Sequence, residues 1–248
     1  MKDKYKTQIV EILRERQYAT IDELSKILFV SPSTVRRNLN ALEQGGIAVR
    51  THGGVKLKEE SNSAPSFTFR IHQNIPEKKK IALAAIKLIH DGDIVFLDGS
   101  TSSFFIAEYL SEFKNIRVIT NGIDTLSLLS RNGVNAYSTG GYVQDENRSA
   151  LVGKYAESMI CCFHADIAFF SAQSVSADGE IYDCFEEENF IRAVMMKNSS
   201  KNVLLVDDTK FGRKSPYRLC HLRSVDYLIT NTPLTFTEEI PTAQIIAK

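Results

Sequence analysis

Apolar residues in the first 46 positions recur every three or four residues, and this spacing predicts three short helices. The first helix has its apolar side at Tyr5, Ile9, Ile12 and Leu13. Thr20 and Glu23 have the spacing of a capping box, which begins the second helix. The N-cap Ser31, followed by Pro32, begins the third helix, and the glycine pair at 45–46 ends it.

The third helix has one apolar and one polar face. Val35, Leu39 and Leu42 fall within about 60° of one another on a helical wheel and form the apolar stripe. The opposite face and its flanks carry Ser33, Thr34, Arg36, Arg37, Asn40 and Gln44. Arginine, asparagine and glutamine match base edges in the major groove, and serine and threonine suit phosphate oxygens. The order of helix, turn and polar-faced helix therefore predicts a helix-turn-helix that binds double-stranded DNA.

A short apolar and basic stretch, "IAVRTHGGVKL", follows the third helix and contains a glycine pair that can turn a hairpin. This stretch predicts a wing whose Arg50, His52 and Lys56 reach backbone phosphates. The predicted DNA contacts are Ser31, Ser33, Thr34, Arg36, Arg37, Asn40, Gln44, Arg50, His52 and Lys56. The alternative is a three-helix bundle whose arginines serve only solubility.

From residue 78 onward, helix-length and strand-length apolar segments alternate. Predicted helices cover 79–93, 101–113, 123–132, 151–163 and 186–199. Predicted strands cover 94–98, 116–120, 134–139, 166–172, 202–207, 226–230 and 243–247. Near-continuous apolar strands are typical of a mostly parallel sheet covered by helices on both faces, so the predicted fold class is α/β. We expect a winged helix-turn-helix at 1–57, a polar linker at 58–77 and an α/β effector-sensing domain at 78–248.

Polar loops follow four of the predicted strands, and ligands of parallel sheets bind at this edge. The loop "DGSTSS" at 98–103 offers a glycine, hydroxyls and amides for a phosphate, although helix capping explains it equally well. Lys210 suits a phosphate as a point charge, and Asp98 and Asn121 suit sugar hydroxyls. The predicted effector-binding residues are Asp98, Gly99, Ser100, Thr101, Ser102, Asn121, Gly140, Gly141 and Lys210.

Composition narrows the function classes. The chain has no net charge, but residues 1–58 hold eleven Lys or Arg against six Asp or Glu (+5), which leaves nineteen against twenty-four (−5). A basic head favours nucleic acid. The four cysteines lack the paired spacing of a zinc site, so we expect reduced thiols, no metal and no cofactor. No apolar run approaches the roughly 18 residues of a membrane span, so we expect a cytoplasmic protein without a membrane partner.

The amino-terminal run resembles the signature of the DeoR family of bacterial transcription regulators. The matching positions are Val30, Ser31, Thr34, Val35, Arg36, Arg37, Leu39, Leu42, Glu43, Gly46, Arg50 and 52–54. Asn38 stands where the family usually has aspartate, on the flank of the reading face. The resemblance implies a DNA-binding regulator that works as an even-numbered homo-oligomer, a homodimer or a homotetramer.

The remainder is similar to the sensor domain of the same family, which resembles ribose-phosphate isomerase and senses a phosphorylated sugar. The matching positions are 91–93, 97–102, 120–122, 140–141, 166–172, Glu188, Met195 and 207–212. The chain departs from the family at "SAQSVS" (171–176), where a glycine-containing loop usually lines the effector pocket, so we expect a changed or narrowed pocket.

The expected function is a repressor of a sugar-metabolism operon, not an enzyme, controlled by a phosphorylated sugar. One alternative is a sugar-phosphate isomerase with a DNA-binding head. The related isomerases carry acidic residues after the corresponding strand, and the nearest candidates here are Asp178 and Glu180, which also read as an ordinary turn. The other alternative is a regulator that binds no ligand.

Overall fold

A computed structural model describes residues 4–16, 18–51, 54–57, 67–145, 147–234, 236 and 242–247. The chain forms two compact units, Met1–Gln73 and Asn74–Lys248. In the described part of the chain, no helix has the length and apolar character needed to cross a membrane.

The first unit contains three helices, a two-stranded hairpin and a short fourth helix. These are α1 (Lys4–Arg16), α2 (Ile21–Leu28), α3 (Pro32–Gln44), β1 (Ala48–Thr51), β2 (Gly54–Leu57) and α4 (Phe67–Arg70). Thr20 and Glu23 form the predicted capping box of α2, and the Ser31 hydroxyl accepts a hydrogen bond from the Thr34 amide at the start of α3. The predicted helix-turn-helix and wing are therefore both present, because local capping and apolar spacing agree along the segment.

One core holds this unit together. Its fully buried side chains are Ile9, Leu13, Ala19, Leu24, Val35, Leu39, Leu42 and Val55. Ala19 and Val55 exchange backbone hydrogen bonds of 3.0 and 2.9 Å, which tie β2 to the α1–α2 connection. The hairpin is consequently fixed relative to α3.

The second unit alternates helices and strands. Its helices are α5 (Ile75–Ala85), α6 (Thr101–Ala107), α7 (Ile123–Arg131), α8 (Lys154–Ile160) and α9 (Glu186–Lys197). Its strands are β3 (Ile94–Leu97), β4 (Arg117–Thr120), β5 (Asn135–Ser138), β6 (Tyr142–Val143), β7 (Leu151–Val152), β8 (Ile167–Ser171), β9 (Ser174–Val175), β10 (Glu180–Asp183), β11 (Asn202–Leu205), β12 (Tyr217–His221), β13 (Tyr227–Thr230) and β14 (Ala243–Ile246).

Seven strands form one parallel sheet in the order β14-β13-β11-β8-β3-β4-β5. The chain runs outward from β3 through β4 to β5, and then returns to β8 on the other side of β3. The strand order therefore reverses between β3 and β8. Ligands of open α/β sheets bind outside the carboxyl ends of the strands at such a point.

Helices cover the sheet on both faces. Phe96 and Ala168 share a buried cluster with Ile160 of α8 and Met195 of α9. Val95, which alternates with Phe96 and so points to the other face, is also buried, and α5, α6 and α7 contact one another in sequence. The predicted α/β fold class is confirmed.

The structure differs from the sequence prediction in several local elements. The segment 151–163 was expected to be helical throughout, but it begins as β7, which pairs with β6 in a small hairpin. The antiparallel sheet β12-β10-β9 was not predicted; it packs on the parallel sheet through Val175 of β9 and Ile181 of β10. The segment 58–77, expected to be a linker, overlaps α4 and the start of α5.

Candidate functional site

Helix α3 presents a polar face to solvent. Val35, Leu39 and Leu42 are fully buried beneath it. The exposed residues of α3 include Ser33, Arg36, Arg37, Asn40 and Gln44, and Thr34 is half-buried. The amphipathic spacing of the sequence thus becomes a ridge of donor and acceptor side chains above a fixed core, which is the form needed to enter a major groove.

The hydroxyl groups at the start of α3 contact one another. The Ser31 Oγ lies 2.9 Å from the Ser33 Oγ and 3.0 Å from the Thr34 Oγ1. These groups surround the first turn of the helix, where a backbone phosphate is favoured. Their predicted role as phosphate contacts stays a prediction.

The sequence suggested that Asn38 lies on the flank of the reading face, but the structure buries it. Its side chain is 5% exposed, and its Nδ2 donates to the Thr34 carbonyl oxygen at 2.8 Å. The replacement of the usual aspartate is therefore a change in the support of α3, since a buried amide donates to the backbone where a carboxylate cannot.

The wing arginine contacts α3. The Arg50 Nη2 donates a short hydrogen bond to the Asn40 Oδ1, and the Arg50 Nε lies 3.0 Å from the Glu43 Oε2. The sequence suggested a phosphate contact for Arg50 and did not reveal these two partners. Lys56 is half-buried on β2, and His52 lies outside the described residues.

In the second unit, the carboxyl ends of β3 and β8 meet through Asp98. This carboxylate is 1% exposed. Its Oδ1 accepts from the Ser103 Oγ at 2.6 Å and the Ser100 amide at 3.2 Å, and its Oδ2 accepts from the Ser171 amide at 3.2 Å. Both oxygens of Asp98 thus bind protein groups, and its role in holding a sugar hydroxyl stays a prediction.

A buried arginine completes this arrangement. Arg192 of α9 is 2% exposed and donates at 2.9 Å to each of three carboxylates, those of Asp98, Asp183 and Glu188. Burial alone would lower the pKa of Arg192, but the three negative charges outweigh it and raise that pKa above its ordinary value. Asn147, in the β6–β7 connection, donates to the other Glu188 oxygen at 2.8 Å. The sequence reasoning missed this cluster.

Lys210 lies beside the end of β8. Its Nζ donates to the Ser171 Oγ at 2.8 Å and to the Ala172 carbonyl oxygen at 2.7 Å. Ser171, the first serine of "SAQSVS", therefore holds Lys210, the residue that was predicted to bind a phosphate. Burial would raise the pKa of Asp207, but the charges of Lys210 and Lys78 and a hydrogen bond from Thr209 outweigh it and lower that pKa. The positive charges of two lysines thus act on one carboxylate at this edge of the sheet.

Two buried amide oxygens near this edge have no hydrogen-bond partner among the described residues. They are the Asn121 Oδ1 and the Gln144 Oε1, in side chains 1% and 2% exposed. Both residues flank the segment 150–151. The Leu151 backbone amide donates to the Asn121 carbonyl oxygen, the Asn121 Nδ2 donates to the Leu151 carbonyl oxygen, and the Gln144 backbone amide donates to the Ala150 carbonyl oxygen. A buried acceptor without a donor is costly, so these atoms are suited to a ligand that carries donor groups.

The predicted loop at 98–103 adjoins Asn121. A Cβ added at Gly99 would lie 3.4 Å from the Asn121 Nδ2 and 3.3 Å from the Ala150 Cβ. Ser100 caps α6, and Thr101 and Ser102 are buried. The structure therefore brings Asp98, Gly99, Ser100 and Asn121 into one region.

Gly141, the second glycine of the predicted pair, has a packing role. Gly141 has φ of 96°, and a Cβ there would lie 2.3 Å from the Val152 carbonyl oxygen. A side chain would therefore collide with β7, whereas an added Cβ at Gly140 meets open space. The close approach accounts for Gly141 without a ligand.

The alternative catalytic carboxylates bind surface groups. Glu180 forms a paired contact with Arg218, and Asp178 accepts from the Ser176 hydroxyl. The Ser176 hydrogen bond lowers the pKa of Asp178, which weakens it as a general base. Among the described residues, no group of three or more His, Cys, Asp or Glu side chains is arranged to hold a metal.

Comparison with known proteins identifies two family domains in the chain. The DeoR-like helix-turn-helix domain matches residues 6–61, and the DeoR C terminal sensor domain matches residues 73–232. The chain is 33% identical over 228 residues to the HTH-type transcriptional regulator GolR of Listeria innocua, covering 92% of this chain and 89% of that protein. It is 32% identical to the HTH-type transcriptional repressor GlcR of Bacillus subtilis (90% and 86%) and 26% identical to the glycerol-3-phosphate regulon repressor of Escherichia coli (91% and 89%).

Solved structures with similar folds include an isomerase and a translation initiation factor. The ribose 5-phosphate isomerase of Methanocaldococcus jannaschii aligns with a TM-score of 0.43 at 18% identity, over 56% of this chain and 55% of that chain. The translation initiation factor eIF-2B of Pyrococcus horikoshii aligns with a TM-score of 0.45 at 13% identity, over 90% and 81%. Likenesses this distant carry no argument about function.

Proposed function

This chain belongs to the DeoR family of helix-turn-helix transcriptional regulators, and we propose that it is a repressor of a sugar-metabolism operon whose affinity for operator DNA falls when a phosphorylated sugar binds the second unit. Relatives named as repressors, among them GlcR and the glycerol-3-phosphate regulon repressor, support the sign of regulation. Operators with two half-sites require an even number of DNA-binding heads, so the proposal includes a homodimer or a homotetramer.

The proposed DNA contact is the exposed face of α3. Arg36, Arg37, Asn40 and Gln44 are exposed there above a buried apolar stripe. Phosphate contacts by cationic side chains release counterions, so affinity should fall steeply as salt rises. The measurement is the affinity for DNA from the region upstream of the protein's own gene, determined by fluorescence anisotropy from low to moderate salt. An affinity that does not change with salt would contradict DNA binding.

The observation that carries the effector proposal is the pair of unpartnered buried acceptors, the Asn121 Oδ1 and the Gln144 Oε1. Sugar hydroxyls donate hydrogen bonds to such oxygens. Lys210, held at the end of β8, supplies the positive charge that a phosphate needs. Both features lie in loops at the carboxyl edge of the sheet, where ligands of this fold class bind.

A thermal-shift panel of sugar phosphates and their unphosphorylated counterparts tests this proposal. A ligand at 100 times its Kd stabilises by about 2.7 kcal/mol, which raises the melting temperature by about 5 to 10 °C for a unit of this size. We expect one phosphate ester to give this shift, and Lys210→Ala or Gln144→Ala to reduce it. The matched control is Lys201→Ala, because Lys201 is exposed immediately before β11, at the opposite edge of the sheet from Lys210.

The same ligand should act on DNA binding in both directions. If it weakens operator affinity by some factor, operator DNA must weaken ligand affinity by the same factor. A panel with no stabilising compound, together with intact DNA binding, would favour a regulator that binds no ligand of this class. Turnover of a sugar phosphate that Lys210→Ala abolishes would revive the isomerase alternative.

A further inference from the structure

The contact between Arg50 and Asn40 determines which end of the Asn40 amide faces solvent. A guanidinium group carries only hydrogen-bond donors, so the atom that it binds must be the carbonyl oxygen of the amide. The Oδ1 is therefore directed toward the wing. The Nδ2, with two donor hydrogens, is the end that remains for another partner.

The backbone around this contact is held in place. Arg50 lies on β1, where it pairs with Val55 of β2, and Val55 is fully buried against the core below α3. Glu43, one turn after Asn40 on α3, binds the Arg50 Nε at 3.0 Å and so holds the other side of the guanidinium. The side chain of Arg50 is 43% exposed, and that of Glu43 is 30% exposed. Arg50 is consequently a bridge between two residues of the same helix.

From this geometry we infer that Asn40 reads a base that presents only acceptors, guanine or thymine, and that Arg50 is the residue that sets this preference. Guanine offers N7 and O6 and thymine offers O4 in the major groove, and each of these atoms accepts from the Nδ2. This inference rests on the proposed function, because it assumes that α3 enters the major groove.

The geometry also disfavours the two other bases. An asparagine reads adenine by donating to N7 while its Oδ1 accepts from the N6 amino group, and here Arg50 holds the Oδ1 toward the wing and so turns it away from the base. Cytosine presents an amino donor, which an outward-facing Nδ2 cannot accept. The inference changes the predicted role of Arg50, from a phosphate contact to a residue that orients a base contact.

The test is selection of bound duplexes from a pool with randomised positions, followed by sequencing, with the full-length chain. Four proteins are compared: wild type, Asn40→Ala, Arg50→Met and Arg16→Met. Asn40→Ala identifies the position that Asn40 reads, because the preference there disappears. Arg16 is exposed on α1, so Arg16→Met controls for the loss of one positive charge from the same unit.

At the position that Asn40 reads, wild type should favour guanine or thymine over adenine and cytosine by about fivefold, the value of one net hydrogen bond. In Arg50→Met the amide is free to turn, so adenine should rise to at least the frequency of guanine. Overall affinity for DNA falls in both arginine variants because each loses one positive charge, but the loss of charge alone does not change the ratio among bases. Arg16→Met should therefore keep the wild-type ratios.

Three results would overturn the inference while leaving the proposed function standing. These are a wild-type preference for adenine or cytosine at that position, an unchanged preference in Arg50→Met, and an unchanged motif in Asn40→Ala. If wild type enriches no motif, the proposed function itself is wrong and the inference fails with it. Melting curves of each variant establish that the protein is folded.

Discussion

Replacing Arg192 by methionine should destabilise the second unit strongly. The substitution keeps most of the apolar stem but removes three charge-assisted hydrogen bonds of 2.9 Å, all to side chains at most 8% exposed. Breaking a buried ion pair costs about 3 to 5 kcal/mol, because the remaining charges stay buried without a partner. For a unit of 175 residues, Asn74–Lys248, this corresponds to a fall in melting temperature of about 6 to 20 °C.

Arg218→Met is the matched control for this experiment. Arg218 also forms a paired contact with one carboxylate, that of Glu180, but its side chain is 56% exposed. A surface pair of this kind is screened by solvent and contributes little to stability, so the control should melt within a few degrees of wild type. Circular dichroism and calorimetry of the three proteins at one pH and salt concentration supply the comparison.

The comparison of Arg192→Met with Arg218→Met decides the outcome, because both variants lose an arginine that contacts carboxylates. If Arg192→Met lowers the melting temperature no more than Arg218→Met does, the three carboxylates do not depend on Arg192 and the reasoning is refuted.

Three further predictions use single substitutions or reagents. Arg37→Ala should relax sequence preference by about tenfold and Arg36→Ala should weaken matched and scrambled DNA alike, since we expect Arg37 to face bases and Arg36 the backbone; equal effects on both DNAs would contradict this. The lowered pKa of Asp207 contributes stability above the ordinary carboxyl range, and this stability is lost as pH falls through the folded pKa. The melting-temperature difference between wild type and Lys210→Met should therefore narrow from pH 6 to pH 3, and a constant difference would count against an influence of the Lys210 charge on Asp207. Burial raises the pKa of Cys220 to about 12. At pH 8 a thiol reagent should therefore modify the exposed Cys161 and Cys162, which follow α8, well before Cys220, and mass spectrometry of the native protein can show this order.

The helix-turn-helix could be predicted closely from the sequence because its signals are local. The signals all lie between Ser31 and Leu42: a cap at Ser31, a proline at the first helical position and an apolar stripe at 35, 39 and 42. Spacing alone therefore determines which side of the helix is buried. The burial of Asn38 was not predicted, because a polar residue beside an apolar stripe has two possible positions. Only the contact with the Thr34 carbonyl oxygen decides between them.

The parallel sheet was also predictable, because near-continuous apolar strands are typical of a sheet that helices cover on both faces. The strands β6, β7, β9, β10 and β12 were missed. Two-residue strands such as β6 and β9 have no periodicity to detect, and they exist because distant segments pair with them. Gln144, in the connection after β6, was missed for the same reason.

The roles of the polar residues at the strand ends needed the structure most. Asp98 and Asn121 look equivalent in sequence, because each follows an apolar strand and precedes a helix. Asp98 meets Arg192, 94 residues later, and its oxygens bind the protein, whereas the Oδ1 of Asn121 is buried without a donor among the described residues. A strand end therefore predicts that a polar residue lies near a ligand, but only its long-range partners decide whether that residue binds the ligand or supports the loop that does.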